Sequence, residues 1–334
     1  MKRLILLVQL MVLSLGPVFA QQDPMFTKYM FNSLAYNPAY AGSNEHMAIG
    51  LIHRSQWWEL DGAPTTQTLT LHTPLSNDRV GLGASLIHDR IGPTATLGLQ
   101  ISYAYRIPIG RGKLAIGLQG GMTNWRADWS RLNLENPNPD PAFSETPNYW
   151  MPNFGAGVYY STKRFFAGFS SPHLVEYDLR KQNLNANYPL YARQYRHYFV
   201  NVGGVIPLNG TALMFRPILL VKNVGWFSSL RKDEAQKGVK APTEFDLDLS
   251  LIFYERFWFG AAFRSSFEAF DNDKSSYDSV DLWASYFFNN GLRIGAAYDY
   301  PLTQLRTVTA GAFEVMIGYE FNYKSKKIVT PRYF

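Results

Sequence analysis

In segment after segment of this chain, apolar and polar residues alternate with a period of two. Leu97, Leu99, Ile101, Tyr103 and Tyr105 fall on odd numbers, while Gly98, Gln100, Ser102, Ala104 and Arg106 fill the even ones. That period describes a β-strand with one apolar and one polar face. It recurs in Leu114-Ile116-Leu118, Phe245-Leu247-Leu249-Leu251-Phe253, Leu292-Ile294-Ala296-Tyr298 and Phe313-Val315-Ile317-Tyr319-Phe321. The connections are alternately tight and long. Gly110-Arg111-Gly112, Leu208-Asn209-Gly210 and Asn289-Asn290-Gly291 are tight; 126–151, 171–193, 223–242 and 269–276 are long. Short turns on one side, long loops on the other and about ten residues per crossing describe an outer-membrane barrel, apolar toward lipid and polar toward the lumen. The expected fold is therefore all-β, a transmembrane antiparallel β-barrel of about 14 strands spanning 46–323.

The ends bear on the compartment. Lys2 and Arg3 precede an apolar run from Leu4 to Leu15, followed by Gly16-Pro17 and Val18-Phe19-Ala20. This pattern predicts a secretory signal peptide over 1–20, cleaved before Gln21. An N-terminal periplasmic segment is expected over 21–45 and a basic periplasmic tail over 324–334. Cysteine is absent, which excludes disulfides and thiolate metal sites. The net charge of +6 is too small to suggest nucleic acid as a partner. Aromatic residues make up 16% of the chain, as a barrel with two interfacial girdles requires. Tyr103, Tyr105, Tyr159, Phe165, Tyr254, Phe257, Phe288, Phe321 and Tyr323 are expected in the periplasmic girdle, and Trp57, Trp58, Trp125, Tyr298 and Tyr300 in the outer one. A soluble β-sandwich, the competing fold, would not sort its aromatics this way.

The inward positions carry charges of both signs. Arg54, Arg106, Arg264 and Arg293 alternate with Asp281, Asp299, Glu314 and Glu320. Such a lining favours neither anions nor cations strongly, so it reads as a lumen network of ion pairs more than as a selective filter. Gly81, Gly83, Gly98, Gly117, Gly260 and Gly295 are small inward residues that leave room for side chains or an inserted segment. No phosphate loop, nucleophile elbow or His-Glu-x-x-His pattern occurs, and the six histidines are scattered. Neither an enzyme nor a cofactor or metal site is expected.

The segment from 23 to 45 has its own character. Phe26, Tyr29, Met30 and Leu34 are spaced close to a helical period, Asn37-Pro38 interrupts it, and Gly42-Ser43-Asn44 turns into the first strand. So apolar a stretch must bury against the barrel's periplasmic mouth or a partner. The run QDPMFTKYMFNSLAYNPAYAGS, together with the closing Thr330-Pro331-Arg332-Tyr333-Phe334, resembles the PorP/SprF family. The family resemblance implies an outer-membrane barrel of the type IX secretion and gliding-motility apparatus. It implies secretion or surface anchoring of large cargo such as adhesins, and contact with periplasmic machinery. A solute-selective channel is the alternative.

Two sets of partner-binding residues are expected beside outer-membrane lipid. In the periplasmic segment they are Asp23, Pro24, Phe26, Tyr29, Asn37, Pro38, Tyr40 and Gly42, packed under the barrel with the Asn37–Tyr40 turn presented to the machinery. In the outer loops they are Trp129, Tyr149, Trp150, Tyr188 and Tyr191, whose aromatic composition suits a recognition surface or a lid.

Overall fold

A computed structural model describes residues 29–44, 46–75, 78–131, 146–178, 193–230, 242–267 and 277–321. The expected signal peptide, Asp23, Pro24, Phe26, Tyr188, Tyr191 and the basic tail lie outside the described residues.

The chain forms one closed antiparallel barrel. Its wall runs through β1 (Met47–Ser55), β2 (Thr65–Pro74), β3 (Val80–Ile91), β4 (Thr94–Ile109), β5 (Gly112–Ala127), β6 (Asn148–Ser161) and β7 (Phe165–Ser171). A two-residue hairpin, β8 (Tyr177–Asp178) with β9 (Arg193–Gln194), stands apart from the wall. The wall resumes with β10 (Tyr198–Gly204), β11 (Ile206–Asn209), β12 (Leu213–Asn223), β13 (Glu244–Phe253), β14 (Phe257–Ser266), β15 (Ser279–Phe287), β16 (Leu292–Pro301) and β17 (Ala312–Phe321). β10 and β11 both pair with β12 and form one stave interrupted at Val205, so the barrel has 14 staves. Closure comes from β1 against β17, in register from Met47↔Phe321 to Ser55↔Phe313. With every stave paired on both sides, the wall has no free edge, which the hydrocarbon demands.

The barrel is inside-out relative to a soluble protein. On β4, Leu99 and Ile101 are 51% and 55% exposed, while Gln100 and Ser102 between and beside them are 5% and 1% exposed. On β13, Asp246 and Asp248 point inward and Leu249 outward. The apolar face therefore meets lipid and the polar face the lumen. No helix is long and apolar enough to cross a membrane among the described residues. The rim formed by the short connections is here the turn end, and the opposite rim the loop end; short turns face the periplasm in outer-membrane barrels.

One girdle residue is misplaced by the sequence. Tyr159 is 3% exposed and faces the lumen, because the inward parity of β6 is odd, shared by Met151, Asn153, Gly155 and Gly157. Tyr103, Tyr105, Tyr254, Tyr298 and Tyr300 are exposed on the outer surface.

Candidate functional site

The lumen is filled by the chain's own N-terminal segment. Three short turns follow one another: a 3-10 turn at Tyr29–Phe31, a single α-turn at Ser33–Tyr36 and a 3-10 turn at Pro38–Tyr40. None is long enough to be stable alone in water. Every residue from 32 to 44 is buried. Leu34, 2% exposed, contributes about 1.5–3 kcal/mol by leaving water. The structure places the segment within the barrel, whereas the sequence suggested packing beneath it. The Asn37–Tyr40 turn faces the wall, and Asn37 and Ala39 are 1% and 0% exposed.

Asn37 organises the turn. Its side chain accepts from the Ala39 N–H at 3.0 Å, capping the Pro38–Tyr40 turn, and donates to the Val158 carbonyl of β6 at 3.2 Å. Pro38 at the first position of that turn has no N–H to satisfy. On the preceding turn, the Tyr36 carbonyl accepts from Ser170 Oγ at 2.7 Å and the Tyr36 hydroxyl from Asn201 Nδ2 at 3.3 Å. These bonds tie the segment to β6, β7 and β10, and the one from Ser170 satisfies a backbone carbonyl of the buried segment.

Glycines let the segment lie directly on the wall. A Cβ at Gly117 would overlap the backbone of Pro38 and Ala39, and one at Gly81 would overlap the Ala41 carbonyl. Of the other inward glycines, Gly83 meets Leu34 of the segment. Gly260 and Gly295 instead make room for Trp283 and Met316 of neighbouring strands, and Gly98 has only ordinary contacts.

Two clasps hold the ends. The Arg106 guanidinium donates to the Gly42 carbonyl, and its second nitrogen to Val80 at 3.1 Å. Gly42 leaves the plug with φ +63°, a left-handed conformation that suits glycine. At the other end Phe31 meets Trp258 at 5.9 Å and Trp283 edge-on at 5.4 Å between ring centroids. The guanidinium carbons of Arg293 and Arg216 lie 5.0 and 5.9 Å from the Phe31 ring. Arg216 stacks 4.7 Å over Trp258, and Trp283 Nε1 donates to Asp248 at 2.6 Å. Tyr40 lies edge-on to His72 and Tyr159, at 5.3 and 5.5 Å.

The charged lumen residues fall into separate groups. Toward the loop end, Arg54 lies 2.6 Å from Asp299 and 3.5 Å from Glu314. Arg264 lies 2.9 Å from Asp246, 3.6 Å from Asp281 and 3.9 Å from Asp299. These six residues join β1 to β13–β17. Arg293 and Glu320 pair at 3.2 Å near the turn end, where His46 also reaches Glu320 at 2.6 Å. Arg106 belongs to the plug rather than to either group. Sequence reasoning did not single out Phe31, Arg216, Trp258 and Trp283 as a cluster; inward parity was the available signal for the three strand residues, and only the strand register and the path of the plug bring all four together.

At the loop end, Tyr149 stacks on Trp125 with centroids 6.1 Å apart and 9° between planes. Trp150 is 58% exposed, and Trp129 lies in a short 3-10 turn beyond β5. Among the described residues no cluster of three or more His, Asp or Glu is placed to hold a metal ion.

No curated protein matches the chain. Among solved structures, the CymD monoaromatic hydrocarbon channel superposes with a TM-score of 0.54 at 14% identity, covering 88% of this chain and 93% of that one. At that identity the likeness is one of fold, and it is to an outer-membrane barrel. The Acinetobacter baumannii outer membrane protein Omp33 gives a TM-score of 0.44 at 9% identity, covering 83% of this chain and 99% of that one. The family model described as type IX secretion system membrane protein PorP/SprF matches residues 18–319. The plugged 14-stave outer-membrane barrel thus belongs to the PorP/SprF family of type IX secretion system membrane proteins.

Proposed function

We propose that this barrel is a closed, non-catalytic component of the type IX secretion and gliding apparatus that binds large cargo proteins, such as adhesins, and supports their secretion or surface anchoring. The observation that carries the reading is the plug. Residues 29–44 lie across the lumen, and all but Phe31 from 30 to 44 are buried. A solute channel built from the same wall needs a continuous water path, and the plug lies across it. Work therefore falls to the barrel's surfaces. Cargo meets the loop end, where Trp129, Tyr149 and Trp150 supply large aromatic side chains of the kind that dominate binding energy. Periplasmic machinery meets the turn end. A partner that binds Asn37, Pro38 or Tyr40 does so with the segment withdrawn from the lumen.

The test is affinity capture of the tagged barrel from native outer membranes in mild detergent. The proposal expects a large surface protein and a periplasmic component to co-purify. A barrel recovered alone, with intact heat-modifiable mobility, would count against it.

A further inference from the structure

Charge is unevenly spread over the turn end. Asp78 stands beside Arg79 and Glu255 beside Arg256, and the turns at 209–211 and 289–291 carry no charge. Two neighbouring tips differ. Between β4 and β5 the chain reads Ile107-Pro-Ile-Gly-Arg111-Gly-Lys113, and between β6 and β7 Ser161-Thr-Lys163-Arg164, with no acidic residue in either. The tips are adjacent, because Lys113 of β5 pairs with Ser161 of β6. Arg111, Lys163 and Arg164 are exposed and Lys113 is half-buried. None of the four side chains forms an ion pair or hydrogen bond among the described residues. Four unpaired cations side by side repel one another, and an acidic partner relieves that repulsion.

The height of the tips distinguishes a protein partner from lipid. A lipid-facing band about 25 Å tall takes about ten residues of tilted strand. On β6 the outward-facing Trp150 and Tyr160 stand that far apart in sequence. Tyr160 is in register with Leu114 and, through it, with Ile107. Pro108, Ile109 and Gly110 continue beyond that level. They carry the Arg111 backbone roughly 8 Å past the band, farther than a headgroup layer of about 5–7 Å. Ile109 is 47% exposed there, an apolar contact next to cations. The free edge of β4 is closed to strand addition. The Arg106 N–H donates to the Arg79 carbonyl at 2.7 Å, and the next residue facing that edge, Pro108, has no N–H. We propose that the β4–β5 and β6–β7 tips together dock an acidic face of a periplasmic protein through their side chains. The inference rests on the reading that periplasmic machinery meets the turn end, and gives that contact its place and its chemistry. Arg106 on the same hairpin clasps Gly42 of the plug, so the docked partner touches the strand that holds the plug.

The chain has no cysteine, so a single one reports its own neighbourhood. Ile109→Cys, modified with a benzophenone maleimide, is irradiated in native outer membranes, and the tagged barrel is purified under denaturing conditions. The proposal expects a protein adduct whose contact region is acidic. Reversing the four charges together (Arg111→Glu, Lys113→Glu, Lys163→Glu and Arg164→Glu) should lower its yield about tenfold, since like charges across an interface are strongly disfavoured. Heat-modifiable mobility and bound large cargo should be retained. Should the reversed barrel fail to insert, the same four positions changed to Gln ask the same question, with a smaller fall expected. An adduct undiminished by either set would overturn the proposal. So would a lipid adduct alone, which would leave the cations to phospholipid headgroups, or an equal protein adduct from Asn290→Cys on the uncharged β15–β16 turn. Affinity capture of a periplasmic component with no protein adduct at Ile109→Cys would sink this surface and leave the wider reading standing. Capture of no such component at all would sink both.

Discussion

Asn37 and Val158 are joined by a hydrogen bond of 3.2 Å that crosses from the plug to the wall, donated by the same side chain that caps the Pro38–Tyr40 turn. One residue thus fixes both the shape of the segment and its position in the lumen. Asn37→Leu removes both bonds and leaves a buried carbonyl and a turn N–H without these partners. Each costs about 1–3 kcal/mol, so the midpoint of heat-modifiable mobility should fall clearly. Asn37→Asp keeps the cap but loses the donor, and its midpoint should fall between the two.

Gly117 tests the close approach independently. Gly117→Leu places side-chain atoms where Pro38 and Ala39 lie, so either the plug or the wall must move. The plug, held by few hydrogen bonds, is expected to give way. Residues of the segment should become open to added protease in the inserted barrel. Gly98→Ala, whose Cβ would meet Thr123 Oγ1 at 3.6 Å, should leave protection unchanged.

The charged group toward the loop end predicts an asymmetry. Removing the cation by Arg264→Met leaves Asp246, Asp281 and Asp299 facing one another, all at most 3% exposed. Breaking a buried pair in this way costs about 3–5 kcal/mol. Replacing Arg264 and Asp246 together should cost less than Arg264→Met alone, measured by urea unfolding of the barrel in detergent or lipid vesicles.

The inside-out wall gives the simplest contrast. Leu99→Asp puts a charge in the hydrocarbon, at a cost on the order of 2.5–3.5 kcal/mol for a central position, and should lower the folded yield in outer membranes. Gln100→Asp, on the lumen side of the same strand, should be milder. Equal yields would contradict the orientation of β4.

The loop-end aromatics separate folding from recognition. Trp129, Tyr149 and Trp150 changed together to Ala should leave insertion intact, with the loss of the Tyr149–Trp125 stack costing about 0.5–1.5 kcal/mol. Surface display of the cognate cargo should fall. Unchanged display would place the cargo contact elsewhere.

The barrel was legible in the sequence because each strand carries its own evidence. Leu97 to Tyr105 and Phe245 to Phe253 declare two faces without reference to any neighbour. The apolar run from Tyr29 to Tyr40 likewise declared that it must be buried. Its destination was not legible, because the width of the lumen depends on strand number and tilt together, which no local segment encodes. The same limit explains the glycines. Gly117 and Gly260 both face inward, yet one receives the plug and the other Trp283, which the register of β14 against β15 sets opposite it. Tyr159 was misread although Asn153, Gly155 and Gly157 alternate with Phe154, Ala156 and Val158, because it and its neighbour Tyr160 both have the residue type of an interfacial girdle. The break at Val205, whose N–H turns to the Arg164 carbonyl at 2.8 Å, has no marker in the alternation.

The central claim is that the lumen is closed by residues 29–44, and conductance tests it most directly. The purified barrel, reconstituted in planar bilayers, should show no steady open state, while deletion of residues 29–42 should produce one if the barrel still inserts. A steady pore of porin size in the unaltered protein would contradict the account.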